Sequence, residues 1–263
     1  MKILLVGDIV GNPGRRFFCE TVKKLRSENI AQAVIANAEN AIAGNGITVP
    51  IAQELFNAGA DVLTLGDHVW GQKELEGTIG REKRLLRPAN YPPGVPGQSS
   101  ITFDTTMGPL SVVNIVGRVF MNPIDCPFRA IDAELKKLPA NVPVVIDFHA
   151  EASSEKIAMG HYLDGRVAAV VGTHTHVQTS DNCILPKGTA YMTDLGMTGP
   201  YHSVIGRQIA PVMKRFTTGI PAKFEVATGP CTLEGAILEL NTTTGKAVSI
   251  APFRIREPMP VSE

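Results

Sequence analysis

No stretch of the chain approaches the roughly twenty consecutive apolar residues that a membrane-spanning helix requires, so no membrane span is expected. Net charge is absent as well. The 25 Lys and Arg balance 25 Asp and Glu, which removes any overall pull toward an anionic membrane or a long nucleic acid and leaves only local patches. Met1 to Asp8 opens apolar but soon reaches an acid, and it lacks the long apolar region and small-residue cleavage site of a secretory leader. Cysteine is scarce and dispersed: Cys19, Cys126, Cys183 and Cys231 include no close pair that would build a zinc knuckle or a thioredoxin-type site. The reading is a cytoplasmic protein with reduced thiols packed as small hydrophobes. No internal repeat and no Ser- or Gln-rich tract interrupts the chain.

What is present is an ordinary globular composition. With 263 residues, 44% of them hydrophobic and 19% charged, the chain can bury a sizeable core, and a single domain over 1–263 is expected. Short apolar runs recur at Ile3 to Val6, Ala33 to Ala36, Val62 to Leu65, Val144 to Ile146 and Val167 to Val171. Their apolarity is continuous rather than alternating, the mark of strands covered on both faces. Between the first three lie a helical stretch from about Arg15 to Ser27 and another opening at Pro50, where proline suits a first helical turn. Further helices are expected from Pro127 to Leu138, capped near Asp125, and from a Ser153 or Ser154 cap toward His161. Arg81 to Gln98, rich in proline and glycine, reads as a surface loop. Gly235 to Leu240, a turn at Asn241 to Gly245, and Ala247 to Ile250 read as a hairpin. The fold class is therefore α/β, with two sheets inside and helices outside.

The polar residues of interest stand where apolar strands stop. Asp8 ends the first run, Glu39 and Asn40 follow the second, Asp67 and His68 the third, His149 the fourth, and His174 and His176 the fifth. Each alone is also what a cap, a turn or a buried hydrogen-bonded histidine looks like. Ligands bind at the carboxyl ends of strands in open α/β sheets, so together they describe one convergent site. Two histidines one residue apart can both turn toward a single cation. Carboxylates, an amide and imidazoles suit Mn, Fe or Zn better than Ca. The set is too large for one tetrahedral ion and suits two ions sharing a carboxylate, a recurring device for hydrolysing phosphate esters through a bridging hydroxide.

Gly7-Asp8-Ile9-Val10-Gly11, Asn37-Ala38-Glu39-Asn40, Gly66-Asp67-His68, Asp147-Phe148-His149-Ala150-Glu151, Gly172-Thr173-His174-Thr175-His176 and Met192 to Pro200 together resemble the YmdB-like branch of the calcineurin-type metallophosphoesterases. The match runs in order along nearly the whole chain. The resemblance implies a four-layer α-β-β-α sandwich, a dinuclear iron or manganese centre, homo-oligomers and phosphodiesterase activity on 2′,3′-cyclic nucleotides such as 2′,3′-cAMP. It places Asp8, Asn40 and His176 on one metal, Asp67, His149 and His174 on the other, Glu39 between them, and His68 as the general acid. Position 10 is Val10 where the wider superfamily has histidine, and the branch lacks that histidine too; Asp67 stands where the branch has asparagine. A phosphomonoesterase, and a regulatory protein that senses a nucleotide or metal with little turnover, are the alternative readings.

Three further residues carry two readings each, and a fourth carries one. Trp70 is a stacking surface for a base or a packed aromatic, and Arg118 a phosphate partner or a surface ion pair. Thr198 to His202 reads as a loop near the site, in which His202 takes part in the site or is plain surface, and Glu151 is placed to orient His149 by accepting from its ring.

Overall fold

The structure is a computed structural model and describes residues 1–259. In chain order its elements are β1 (Lys2–Val6), β2 (Asp8–Ile9), α1 (Gly11–Ser27), β3 (Ala33–Asn37), α2 (Val49–Ala58), β4 (Val62–Thr64), α3 (Leu75–Thr78), β5 (Leu85–Leu86), β6 (Ser100–Thr105), β7 (Gly108–Val116), α4 (Pro127–Leu135), β8 (Val144–His149), α5 (Ser153–Leu163), β9 (Ala169–Thr173), β10 (Cys183–Ile184), β11 (Ala190–Met192), β12 (Met197–Pro200), α6 (Ile209–Thr218), β13 (Cys231–Leu240) and β14 (Ala247–Arg256). They form two sheets. One runs β2-β12-β13-β1-β3-β4-β5 with β14 paired along β13, and the other runs β10-β11-β9-β8-β7-β6. No helix among the described residues is long and apolar enough to cross a membrane.

Side chains alternate across a strand, so a strand between two layers feeds two cores. Leu4 and Val6 of β1 pack with Phe18 and Val22 of α1 and Leu55 of α2. Ile3 and Leu5, on the other face, meet Val112, Val145 and Val171 of the second sheet. Ile146 and Phe148 of β8 pack beneath Ile131 of α4 and Met159 and Leu163 of α5. Three cores separate four layers, which is the expected α-β-β-α sandwich.

Several local expectations need correction. Arg81 to Gln98 is not all loop: buried Leu85 and Leu86 form an edge strand parallel to β4. Two leucines are too short a run to show a period among the surrounding prolines and glycines. Cys126 and Ala152, not Asp125 or Ser153 or Ser154, are the N-caps of α4 and α5, and neither helix has a side-chain cap bond. Asp125 stands one residue before the capping position, and Ser153 and Ser154 stand one and two residues past it, inside the helix. The fifth strand begins at Ala169 rather than Val167. Cys231 is buried, but Cys183 is exposed, so not every thiol packs as a hydrophobe.

Candidate metal centre

The core between the sheets turns polar at the carboxyl ends of its strands. Asn37 follows Ile35 in facing inward, Asp147 follows Val145 and Thr173 follows Val171, so residues of the same parity as apolar ones converge beneath the site. Asn37, Thr64, Asp147 and Thr173 are all buried. Thr173 Oγ1 donates to Asp147 Oδ1 at 2.7 Å and Asn37 Nδ2 to Oδ2 at 3.1 Å; Thr64 Oγ1 also donates to Oδ2. Burial raises the Asp147 pKa, against the pull of His149 and these donors. With its proton given to Asp147, the Thr173 hydroxyl accepts from Nδ1 of His149, 2.9 Å away. This assigns Nε2 of His149 as the atom presented to the site.

Around that Nε2 the other groups crowd. Glu39 Oε1 lies at 3.1 Å, Asp67 Oδ1 at 3.2 Å and His174 Nδ1 at 2.9 Å. One ligating atom from each of Glu39, Asp67, His149 and His174 lies within 4.8 Å of the others. Asp67 Oδ1 is buried without a hydrogen-bond donor. Burial disfavours charge on His149, yet Glu39, Asp67 and Asp8 hold its pKa well above the ordinary value. Burial and His149 together push His174 down to about 4.

Asp8, Asn40 and His176 form a second group beside Glu39. Asn40 Nδ2 is 3.2 Å from Glu39 Oε1, 3.2 Å from His176 Nε2 and 3.5 Å from Asp8 Oδ1. His176 gives Nδ1 to the Ile205 carbonyl at 2.9 Å, which again leaves Nε2 facing inward. Asp8 Oδ1 lies 3.7 Å from that Nε2. Burial pushes the Asp8 carboxyl up to about 6, against the opposing pull of His176 and His149. Glu39, though fully buried, is held well below the usual carboxylate range by His149 and His68.

Local backbone accounts for the convergence. His174 and His176 both adopt left-handed conformations, φ 101° and 62°, which turn both rings to one side of the loop. Gly66 precedes Asp67 because a Cβ there would run into the His149 ring and the Glu39 carboxylate. Gly7 is likewise pressed against the carbonyl of Gly196, where β2 pairs with β12.

All seven expected residues, Asp8, Glu39, Asn40, Asp67, His149, His174 and His176, thus come together, with His68 beside them. The secondary expectations fare differently. Glu151 faces Nε2 of His174 at 3.2 Å and not His149, whose Nδ1 is taken by Thr173. Trp70 packs edge-to-face on Tyr91, centroids 6.2 Å apart, against the helix-side core. Arg118 and His202 are exposed. Thr198 to Pro200 belong to buried β12 rather than to a loop. Asn37, Thr173 and the Ile205 carbonyl were not anticipated; for the first two the period-2 parity with Ile35 and Val171 was the available signal.

Two sheets between helical layers, with a His, Asp and Glu cluster of the kind that binds divalent metals at the strand ends, define a metallophosphoesterase-type fold. The chain belongs to the YmdB-like family, whose model, described as YmdB-like protein, matches residues 4–253. It is 47% identical over 259 residues, 98% of each chain, to a 2′,3′-cyclic-nucleotide 2′-phosphodiesterase of Bacillus subtilis (strain 168). Its structure is similar to that of a protein from Thermus thermophilus, with 42% identity and TM-score 0.92 over 98% of this chain and 100% of the other. It is also similar to a phosphatase from Mycoplasma pneumoniae, with 34% identity and TM-score 0.92 over 99% and 95%.

Proposed function

We propose that this chain is a dinuclear-metal phosphodiesterase that opens 2′,3′-cyclic nucleotides. The observation that carries the reading is the position of Glu39, whose Oε1 lies 3.1 Å from His149 Nε2, in the cluster with Asp67 and His174, and 3.2 Å from Nδ2 of Asn40, which also approaches His176 and Asp8. The donor set fits a pair of cations: Asp67 Oδ1 is buried without a donor, and two imidazoles are fixed with Nε2 inward. Asp8, Asn40 and His176 would hold one ion and Asp67, His149 and His174 the other, with Glu39 shared. Asn40 offers its amide oxygen by a half-turn of the side chain. Iron or manganese suits these donors, and zinc also fits. When bound, such ions supply Lewis acidity, neutralising phosphoryl charge and activating water.

The chain's own residues supply the rest. Glu39 Oε1 sits 3.0 Å from Nδ1 of His68, and this bond raises the pKa of His68 despite partial burial. His68 is therefore held as a proton donor whose Nε2 delivers to the departing ribose oxygen. The 2′ ester is the one opened, by analogy with the Bacillus relative, leaving a 3′-monophosphate.

The test is metal analysis of the purified protein with hydrolysis of 2′,3′-cAMP in added Mn, wild type against His68→Ala. Two metals per chain and turnover lost in the variant would support the reading. Two metals without turnover in either protein would favour a regulatory protein, and no metal would sink the site as drawn. Faster turnover of mono- than bis-nitrophenyl phosphate would favour a phosphomonoesterase.

A further inference from the structure

Outside the cluster lies a buried ion pair that the proposed chemistry does not use. Lys156 Nζ is 2.7 Å from Asp194 Oδ2, with side chains 1% and 0% exposed. Two charges leave water favourably only when their remaining hydrogen-bonding capacity is also met. Around Asp194 it is met by backbone close to the site. Oδ2 also accepts the Thr175 N–H at 3.1 Å and the Thr175 hydroxyl at 2.8 Å, while Oδ1 accepts the Gly196 N–H at 2.9 Å.

Both contacts lead back to the metal centre. Thr175 separates His174 from His176, and both histidines have the positive φ that side-chain-bearing residues disfavour. Such a conformation persists only where its surroundings over-determine it. Here Asp194 grips the middle of the turn by two bonds, while Asp8 Oδ2 accepts the His174 N–H at 3.0 Å. Gly196, held by the other oxygen of Asp194, passes its carbonyl to the N–H of Asp8 at 3.1 Å. One carboxylate thereby reaches both histidines of the turn and the backbone of Asp8. Lys156 reaches it from α5 across Gly172, where a Cβ would strike the lysine stem and the Thr193 carbonyl. An apolar residue at 156 would leave Asp194 as an unpaired buried charge near the already anionic Asp8 and Glu39.

We propose that Asp194, with Lys156 as its counter-ion, is a positioning residue that holds the His174–Thr175–His176 turn and Asp8 in their ligating arrangement. The inference rests on the metal-centre reading of the preceding section. It separates a role in ion binding from a role in stability, because the pair can be neutralised on both sides at once.

The experiment compares wild type, Asp194→Asn, Lys156→Met and the double variant by melting of the metal-free protein, Mn titration calorimetry and histidine-ring NMR of the metal-free protein. Each single variant leaves one buried charge unpaired and melts lower; the double variant recovers most of the melting temperature. Its Mn affinity stays about 10–100-fold weaker than wild type, the usual effect of losing an outer support of a metal site, and the His174 and His176 ring signals are displaced. A double variant that binds Mn as wild type does, with unmoved ring signals, overturns the proposal. If wild type itself binds no Mn, the metal-centre reading fails, and the ring signals alone decide whether Asp194 orders the turn. Should the double variant not fold, Thr175→Val removes only the hydroxyl bond; weaker Mn binding at unchanged melting temperature supports the proposal, and unchanged binding overturns it.

Discussion

Nδ1 of His68 lies 3.0 Å from Oε1 of Glu39, a carboxylate that is itself fully buried. The contact decides which ring nitrogen is free. Only Nε2 can meet a bound ester, and the proton it carries is held more tightly than on an isolated histidine.

His68→Ala is therefore expected to lower turnover of 2′,3′-cAMP by about 10²- to 10⁴-fold, the usual contribution of a positioned acid. Metal content should be unchanged. If His68 is the acid proposed above, wild-type turnover should fall as rising pH strips its ring of the proton, later than for an ordinary histidine because its pKa is raised, and the variant should lose this alkaline limb. Steady-state kinetics across pH with elemental analysis checks both; a retained limb would assign it to another group.

Gly66→Ala places a methyl group against the His149 ring and the Glu39 carboxylate. Overpacking of this kind costs about 1–3 kcal/mol, and here the strain falls on two side chains of the proposed metal site. We expect a lower melting temperature together with weaker Mn binding, measured by calorimetry. A variant that melts lower but binds Mn normally would show that the strain is relieved away from the site.

Asp67→Asn keeps a side-chain oxygen but removes one negative charge 3.2 Å from His149 Nε2. Mn affinity should fall by roughly tenfold, about 1.4 kcal/mol. Turnover should rise, because a less anionic shell leaves the cation a stronger Lewis acid. Unchanged affinity and turnover would show that the carboxylate at 67 is without consequence.

Burial raises Asp8 to about 6 from its ordinary 3.8. The folded state therefore binds this proton more tightly than the unfolded chain, and the metal-free protein loses stability through this group as pH rises from about 4 to about 6, by about 3 kcal/mol at most. A cation offsets the exposed cost once Asp8 is ionised. The increase in melting temperature on adding Mn should be larger at pH 7.5 than at pH 5; an equal increase at both would contradict the linkage.

Phe148 lies wholly within the outer core of the second sheet, one residue before His149. Phe148→Ala should cost about 3–5 kcal/mol. Chemical denaturation would measure it, and a loss under about 1 kcal/mol would mean that the core collapses into the space.

How much of this was legible beforehand follows from local pattern. Strands with sustained apolar runs, such as β1 and β3, declared themselves, and so did the convergence of the polar residues at their ends, since that depends only on where a strand stops. β2 and β5, two residues each, carry no period. The caps of α4 and α5 were misplaced because nearby Asp125 and Ser153 have the right chemistry for a job the backbone gives to Cys126 and Ala152. The partner of Glu151 depended on the left-handed turn at His174, a tertiary outcome that spacing does not encode. Asp147 was the missed clue: a carboxylate inside a continuous apolar strand needs donors, and Asn37, Thr64 and Thr173 provide them.

One edge of β1 pairs with β3, but the other is closed by β13, with Leu4 opposite Ile237, and the N-terminal ammonium donates to the Leu240 carbonyl at 2.8 Å. During synthesis the first strand thus leaves the ribosome long before the partner of its second edge exists. Until the last hairpin emerges, that edge is open to chaperones or to neighbouring nascent chains. Asp8, at the end of this strand, is made well before the strand that closes the second edge beside it. If the chain holds metal as proposed above, loading must wait for β13: a ribosome-bound fragment halted before Cys231 should be cut readily by protease and carry no ion.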